Sequence, residues 1–131
     1  MNTKILMTAS TLFLGISGLI LSFFPDETIA YLEIDVNVLT SLFLQILGAL
    51  YLGFAMLNWM AKGSRIGGIY NRPVAIGNFM HFGVGAITLV KVAFKIQVHT
   101  ELIISLTIVY AIFAIGFAYV FRTNPGNLGD R

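Results

Sequence analysis

Apolar residues fill this chain in four long blocks, each interrupted only by small or isolated polar residues and bounded by Pro, Gly, Asn or charge. The blocks cover residues 4–24, 38–60, 73–94 and 101–121. A helix needs about 20 predominantly apolar residues to cross a hydrocarbon core of about 30 Å, and every block reaches that length. The pattern therefore predicts an all-α integral membrane protein: one membrane domain, 1–131, built as a four-transmembrane-helix bundle.

The polar positions inside the blocks predict which faces pack. In the first, Thr8, Thr11, Gly15, Gly18 and Ser22 recur at steps of three and four, ahead of Pro25, which cannot continue a helical ladder. Lipid tails are as apolar as Leu, so helices in membranes associate by close backbone approach, and this small-residue stripe is expected to face another helix. The second block carries Ser41, Gln45, Gly48, Leu52, Ala55 and Trp59 at a mean spacing that suits a left-handed bundle, with Trp59 at the membrane boundary. In the third, Asn78, His81, Gly85 and Thr88 form one face, expected to turn inward where polar groups find partners. Lys91 and Lys95 are close enough to its end to snorkel to water. The fourth block places Ser105, Ile112, Gly116 and Tyr119 on one side.

Three connections complete the layout. Residues 26–37, DETIAYLEIDVN, hold four carboxylates and no basic residue. With Ile29, Leu32 and Val36 on one helical side, this segment predicts a short interfacial helix after helix 1, with Asp26 as N-cap and Glu27 near the positive end of its dipole. Glu33 and Asp35 suggest a catalytic or cation-binding carboxylate pair, but without a His or a third ligand a solvated, acidic non-cytoplasmic loop accounts for them better. The loop AKGSRIGGIYNR gathers Lys62, Arg65 and Arg72 around Gly63, Gly67 and Gly68. No strand precedes its GG pair, so it is no dinucleotide fingerprint, and contact with anionic headgroups explains its basic residues. The tail 122–131, rich in Gly, Asn and Pro, is expected to be frayed and solvated.

Composition narrows the function classes. Charged residues make up only 11% of the chain and the net charge is +2, which offers nothing to nucleic acid. There is no Cys, so thiol redox chemistry and thiolate metal sites are excluded. The first block is longer than a signal-peptide core and lacks a small-x-small cleavage site before Pro25, so it is read as a retained span. Counting Lys and Arg by side puts both termini in the cytoplasm: Lys4, Lys62, Arg65, Arg72, Arg122 and Arg131 inside against Lys91 and Lys95 outside.

No Asp or Glu lies in the middle of a span, so a carboxylate-based proton or ion pump has no carrier. His81 and His99 stand at opposite ends of one helix and the five Met share no spacing, so neither a metal nor another cofactor is expected. Catalytic residues are not identifiable. The polar path into the membrane interior is the basic loop and the third helix, and it defines a candidate ligand site: Arg72, Gly67 and Gly68 for a head group, with Asn78, His81 and Gln45 beside the body of a lipid or quinone-like molecule. Arg72 and His81 lie about 13 Å apart along a helix axis, a span that only a tailed amphiphile covers. In the alternative, Asn78 and His81 bond to neighbouring helices and Arg72 meets lipid phosphate.

The succession FFPDETIAYL, LQILGALYLGFAMLNW and GGIYNRP, followed by two further spans, resembles the small bacterial four-helix membrane proteins of the DoxX-like kind, through Pro25, Gly48 and Arg72 in particular. The resemblance implies an inner-membrane bundle in families mostly of unknown function, some of them associated with oxidoreductase or quinone-linked systems. The absence of Cys sets this chain apart from any thiol-based role. Two expectations follow. The leading one is an accessory or interaction subunit of a membrane complex, with membrane lipids, other subunits or further copies of itself as partners. The other is a ligand-binding protein, enzyme or carrier with a lipid or quinone-like molecule at the cytoplasmic half of the third span, 73–94.

Overall fold

The computed structural model describes residues 2–64 and 71–123. Those residues form five helices and no strand: α1 (Thr3–Phe23), α2 (Pro25–Tyr31), α3 (Val38–Ala61), α4 (Arg72–Ala93) and α5 (Thr100–Arg122). All except α2 are long and apolar enough to cross a membrane. Gly67, Gly68 and the tail beyond Thr123 lie outside the described residues. The chain divides into two compact units, residues 7–60 and residues 1–6 with 61–131.

In the unit of residues 7–60, α1 meets α3 through the small residues of their facing sides. Gly18 and Gly48 bring the two backbones together: a Cβ on Gly18 would lie 2.9 Å from the Gly48 carbonyl oxygen, and one on Gly48 would lie 2.9 Å from the Gly18 oxygen. One turn away, Gly15 faces Ala55, and Ser22 sits against Gly48. Such proximity is what small residues permit where no hydrophobic force distinguishes a neighbouring helix from lipid. Beyond this crossing, Asn58 Nδ2 donates to Ser10 Oγ at 3.0 Å, and Ser10 Oγ donates to the Met7 carbonyl at 3.0 Å. Thr11 Oγ1 donates to the Ala55 carbonyl at 3.3 Å. The buried line on α3 is thus Gly48, Ala55 and Asn58, while Trp59 and Gln45 are exposed. That corrects the expected stripe at its two ends, because Asn58 is the residue that needs a partner in hydrocarbon and Trp59 is content at the boundary.

Only Phe24 separates α1 from α2, and it caps α2 with Pro25 in the first turn, where a missing N–H costs nothing. Asp26 is therefore not the N-cap. It belongs to the first turn, and its Oδ1 accepts from Ser41 Oγ on α3. The helix stops early. Glu33 takes a left-handed conformation (φ 57°), its N–H reaching the Ala30 carbonyl and the Ile34 N–H reaching the Ile29 carbonyl. This is a Schellman closure with a non-Gly residue in the position glycine favours. It takes Val36 off the helical side expected for it, leaving Ile29 as the buried anchor. Asn37 Oδ1 then accepts from Thr40 N at 2.9 Å and starts α3 as a side-chain cap.

In the other unit, α4 and α5 form an antiparallel pair joined by residues 94–99, with His99 in the left-handed region (φ 55°) at the start of α5. Its interior is aromatic. Phe82 on α4 contacts the rings of Tyr110, Phe113 and Phe117 on α5 at centroid distances of 5.2, 4.7 and 5.9 Å. Gly85 gives Tyr110 its room, since a Cβ there would lie 2.6 Å from the ring's Cδ1. Gly116 similarly admits Leu6. The inward face of α5 is Tyr110, Phe113, Gly116, Phe117 and Val120, whereas Ile112 and Tyr119 point outward, so of the face expected from sequence Gly116 alone is buried.

Candidate functional site

Of the residues expected to form a ligand path on the third span, Arg72, Asn78 and His81 all lie on α4, but each is engaged differently. The Arg72 guanidinium sits 5.1 Å over the ring of Phe121 at the end of α5, a cation–π arrangement on the exposed rim. Asn78 is fully buried and its Nδ2 donates to the Val74 carbonyl 2.9 Å away, one turn back on its own helix. The His81 ring packs edge-on to Phe82 (4.9 Å) and against Tyr110 (5.7 Å). Thr88, expected to continue this face, is exposed and donates to the Val84 carbonyl. Aromatic side chains therefore occupy the space beside His81 on the α5 side.

A second polar group, not foreseen from sequence as a cluster, is the Ser10, Thr11, Asn58 set between α1 and α3. Ser10 and Asn58 are both fully buried. Every bond in this set runs between helices or to a backbone carbonyl, which is how buried polar groups stabilise a pair of spans; such bonds contribute about 0.6 kcal/mol each on average in membrane proteins. The signal that could have exposed it is Asn58, a side chain that hydrocarbon does not tolerate alone, lying one turn beyond Ala55 on the small-residue side.

Gln45 belongs to neither group. It lines an open groove of about 460 Å³ at the opposite end of α3 from Asn58, together with Asp26, Asn37, Ser41 and the apolar walls Pro25 and Leu42. The groove forms because α2 folds back after Phe24 and brings Asp26 onto the first turns of α3, where Ser41 holds it. No group of three or more potential metal-ligating side chains occurs among the described residues.

Two basic side chains near helix ends have resolved surroundings. Lys62, just past α3, has its pKa lowered, first by desolvation and then by the ammonium of Lys4. Arg72 over Phe121 brings the start of α4 beside the end of α5. No family model, curated protein or solved structure matches this chain.

Proposed function

We propose that this chain is an accessory or interaction subunit of a bacterial-type inner membrane, acting by packing against partners rather than by catalysis. The observation that carries the reading is how the polar side chains inside the helix pairs are used. Asn58, Ser10, Thr11 and Asn78 bond to one another or to backbone carbonyls, and aromatic rings fill the space beside His81. A catalytic or carrier site at that depth calls for polar groups directed into a cavity. Outward, α3 presents Leu39, Phe43, Ile46 and Leu50, all exposed, a surface for lipid and for the spans of other subunits or further copies. The resemblance of the sequence layout to DoxX-like bundles fits the same reading.

Purification from native membranes in a mild detergent after cross-linking tests it. A membrane protein recovered in fixed ratio, or a defined homo-oligomer, is expected. A monodisperse single chain with neither would overturn the proposal.

The reading includes an orientation with both termini in the cytoplasm and residues 26–37 outside. It rests on the six-to-two distribution of basic residues. Since the chain has no Cys, single cysteines at positions 33 and 65 can be labelled cleanly. An impermeant maleimide added to intact cells is expected to reach position 33 and not 65, and the reverse pattern would refute the orientation.

A further inference from the structure

The groove between α2 and the first turns of α3 has two polar stations that the helix interior does not use. One is the Asp26 carboxylate, which lines the groove and whose Oδ1 accepts from Ser41. The other is the Gln45 amide, which makes no hydrogen bond among the described residues. Ser41 and Gln45 are one turn apart on the same face of α3, so the stations are separated by about 6 Å along the helix axis. Gln45 is seven residues into a span of 24, about 10 Å from its start and below the headgroup level. Side chains on a helix lean toward its N-terminus, so the amide reaches up the groove toward Asp26.

An amide at that depth is costly unless it finds a polar partner, and the carboxylate above it calls for a cation or a strong donor. Among the described residues no Lys or Arg lines the groove, so an anionic head finds no counter-charge from them. Leu42 and Pro25 supply an apolar wall suited to the upper part of an acyl chain. We propose that this groove binds an aminolipid from the non-cytoplasmic leaflet, its primary ammonium on Asp26 and an ester carbonyl accepting from the Gln45 amide. The site needs no protein partner, so it stands without the subunit role; only its leaflet rests on the orientation proposed above, which the cysteine labelling at positions 33 and 65 tests separately.

The test compares lipid retention by the purified protein in nanodiscs of phosphatidylethanolamine, phosphatidylcholine or phosphatidylglycerol, counted by native mass spectrometry. Choline keeps the charge of ethanolamine but has no N–H to donate. The wild-type chain is expected to retain phosphatidylethanolamine at least threefold over either alternative, and both Asp26→Asn and Gln45→Leu to abolish the preference. Gln45 is exposed and unbonded, so its replacement by Leu leaves the helix packing intact, and unchanged thermal melting certifies that. Equal retention of the three lipids by the wild type would overturn the site. So would a preference that survives both substitutions, or displacement by dissolved ethanolamine as efficient as by the lipid, which would make the head alone the ligand.

Discussion

Gly48→Ala is expected to lower the stability of the purified protein by about 1 to 3 kcal/mol, and Gly48→Leu by more, whereas Gly53→Ala on the same helix leaves it unchanged or slightly raised. The contrast follows from what each added methyl would meet. At Gly48 the nearest atoms are the side chain of Ser22, the Ser22 backbone nitrogen at 2.8 Å and the Gly18 carbonyl oxygen at 2.9 Å. Two of these are backbone atoms of α1 and cannot rotate aside, so the helices must separate. Separation then lengthens the Thr11 to Ala55 and Asn58 to Ser10 bonds further along the same interface. At Gly53 nothing lies within 4 Å, so Ala there removes only the entropy cost of a glycine in a helix. Reversible unfolding in mixed micelles measures both variants, and equal stability of Gly48→Ala and Gly53→Ala would show that the backbones do not touch.

That interface was legible in the sequence because it is written in residue size. Gly15, Gly18 and Ser22 stand out against Leu, Ile and Phe, and close approach is the one reason for small residues to line up in a span. Helix ends were legible for a similar reason, since Pro25, Asn37, Pro73 and Arg122 each break or cap a ladder locally. The buried face of α5 was not. In a segment apolar on every side, any face suits lipid, and periodicity has no polar residues to work from. The spacing of Tyr110, Phe113 and Phe117 becomes informative only once Gly85 is seen to make room for a ring across the interface. The candidate site was legible in part. Arg72, Asn78 and His81 do share α4, but the space beside His81 is taken by an aromatic cluster that α5 supplies from positions 28 and more residues downstream of Phe82. The Asp26 and Gln45 groove was not legible because Asp26 reads as a local N-cap, whereas Phe24 takes that place and the Asp26 carboxylate accepts from Ser41, 15 residues on.

Phe82→Ala is expected to cost about 2 to 3 kcal/mol, the largest loss from any single truncation in the α4 and α5 pair. Phe82 is fully buried and is the ring on which four others converge: His81, Tyr110, Phe113 and Phe117, with centroids between 4.7 and 5.9 Å away. In a water-soluble core such a truncation costs about 3 to 5 kcal/mol, part of it for transferring the ring out of water. In a bilayer the transfer part is small, because lipid accepts a phenyl ring as readily as a protein interior does. What remains is the loss of ring contacts and the cavity they leave, which is why the expected value falls at or below the soluble range. Phe94, 88% exposed at the end of α4, supplies the control, since its truncation removes no packed neighbours and should shift stability by less than about 0.5 kcal/mol. Stability in mixed micelles gives the size of each loss, and near-ultraviolet dichroism reports whether the ring cluster itself has loosened. Comparable losses from Phe82→Ala and Phe94→Ala would mean that the aromatic cluster does not hold α4 to α5. A large loss confined to Phe82→Ala would make His81 one wall of a packed cluster, whose replacement by Gln should then weaken the same pair by a smaller amount, without altering the lipids that purify with the protein.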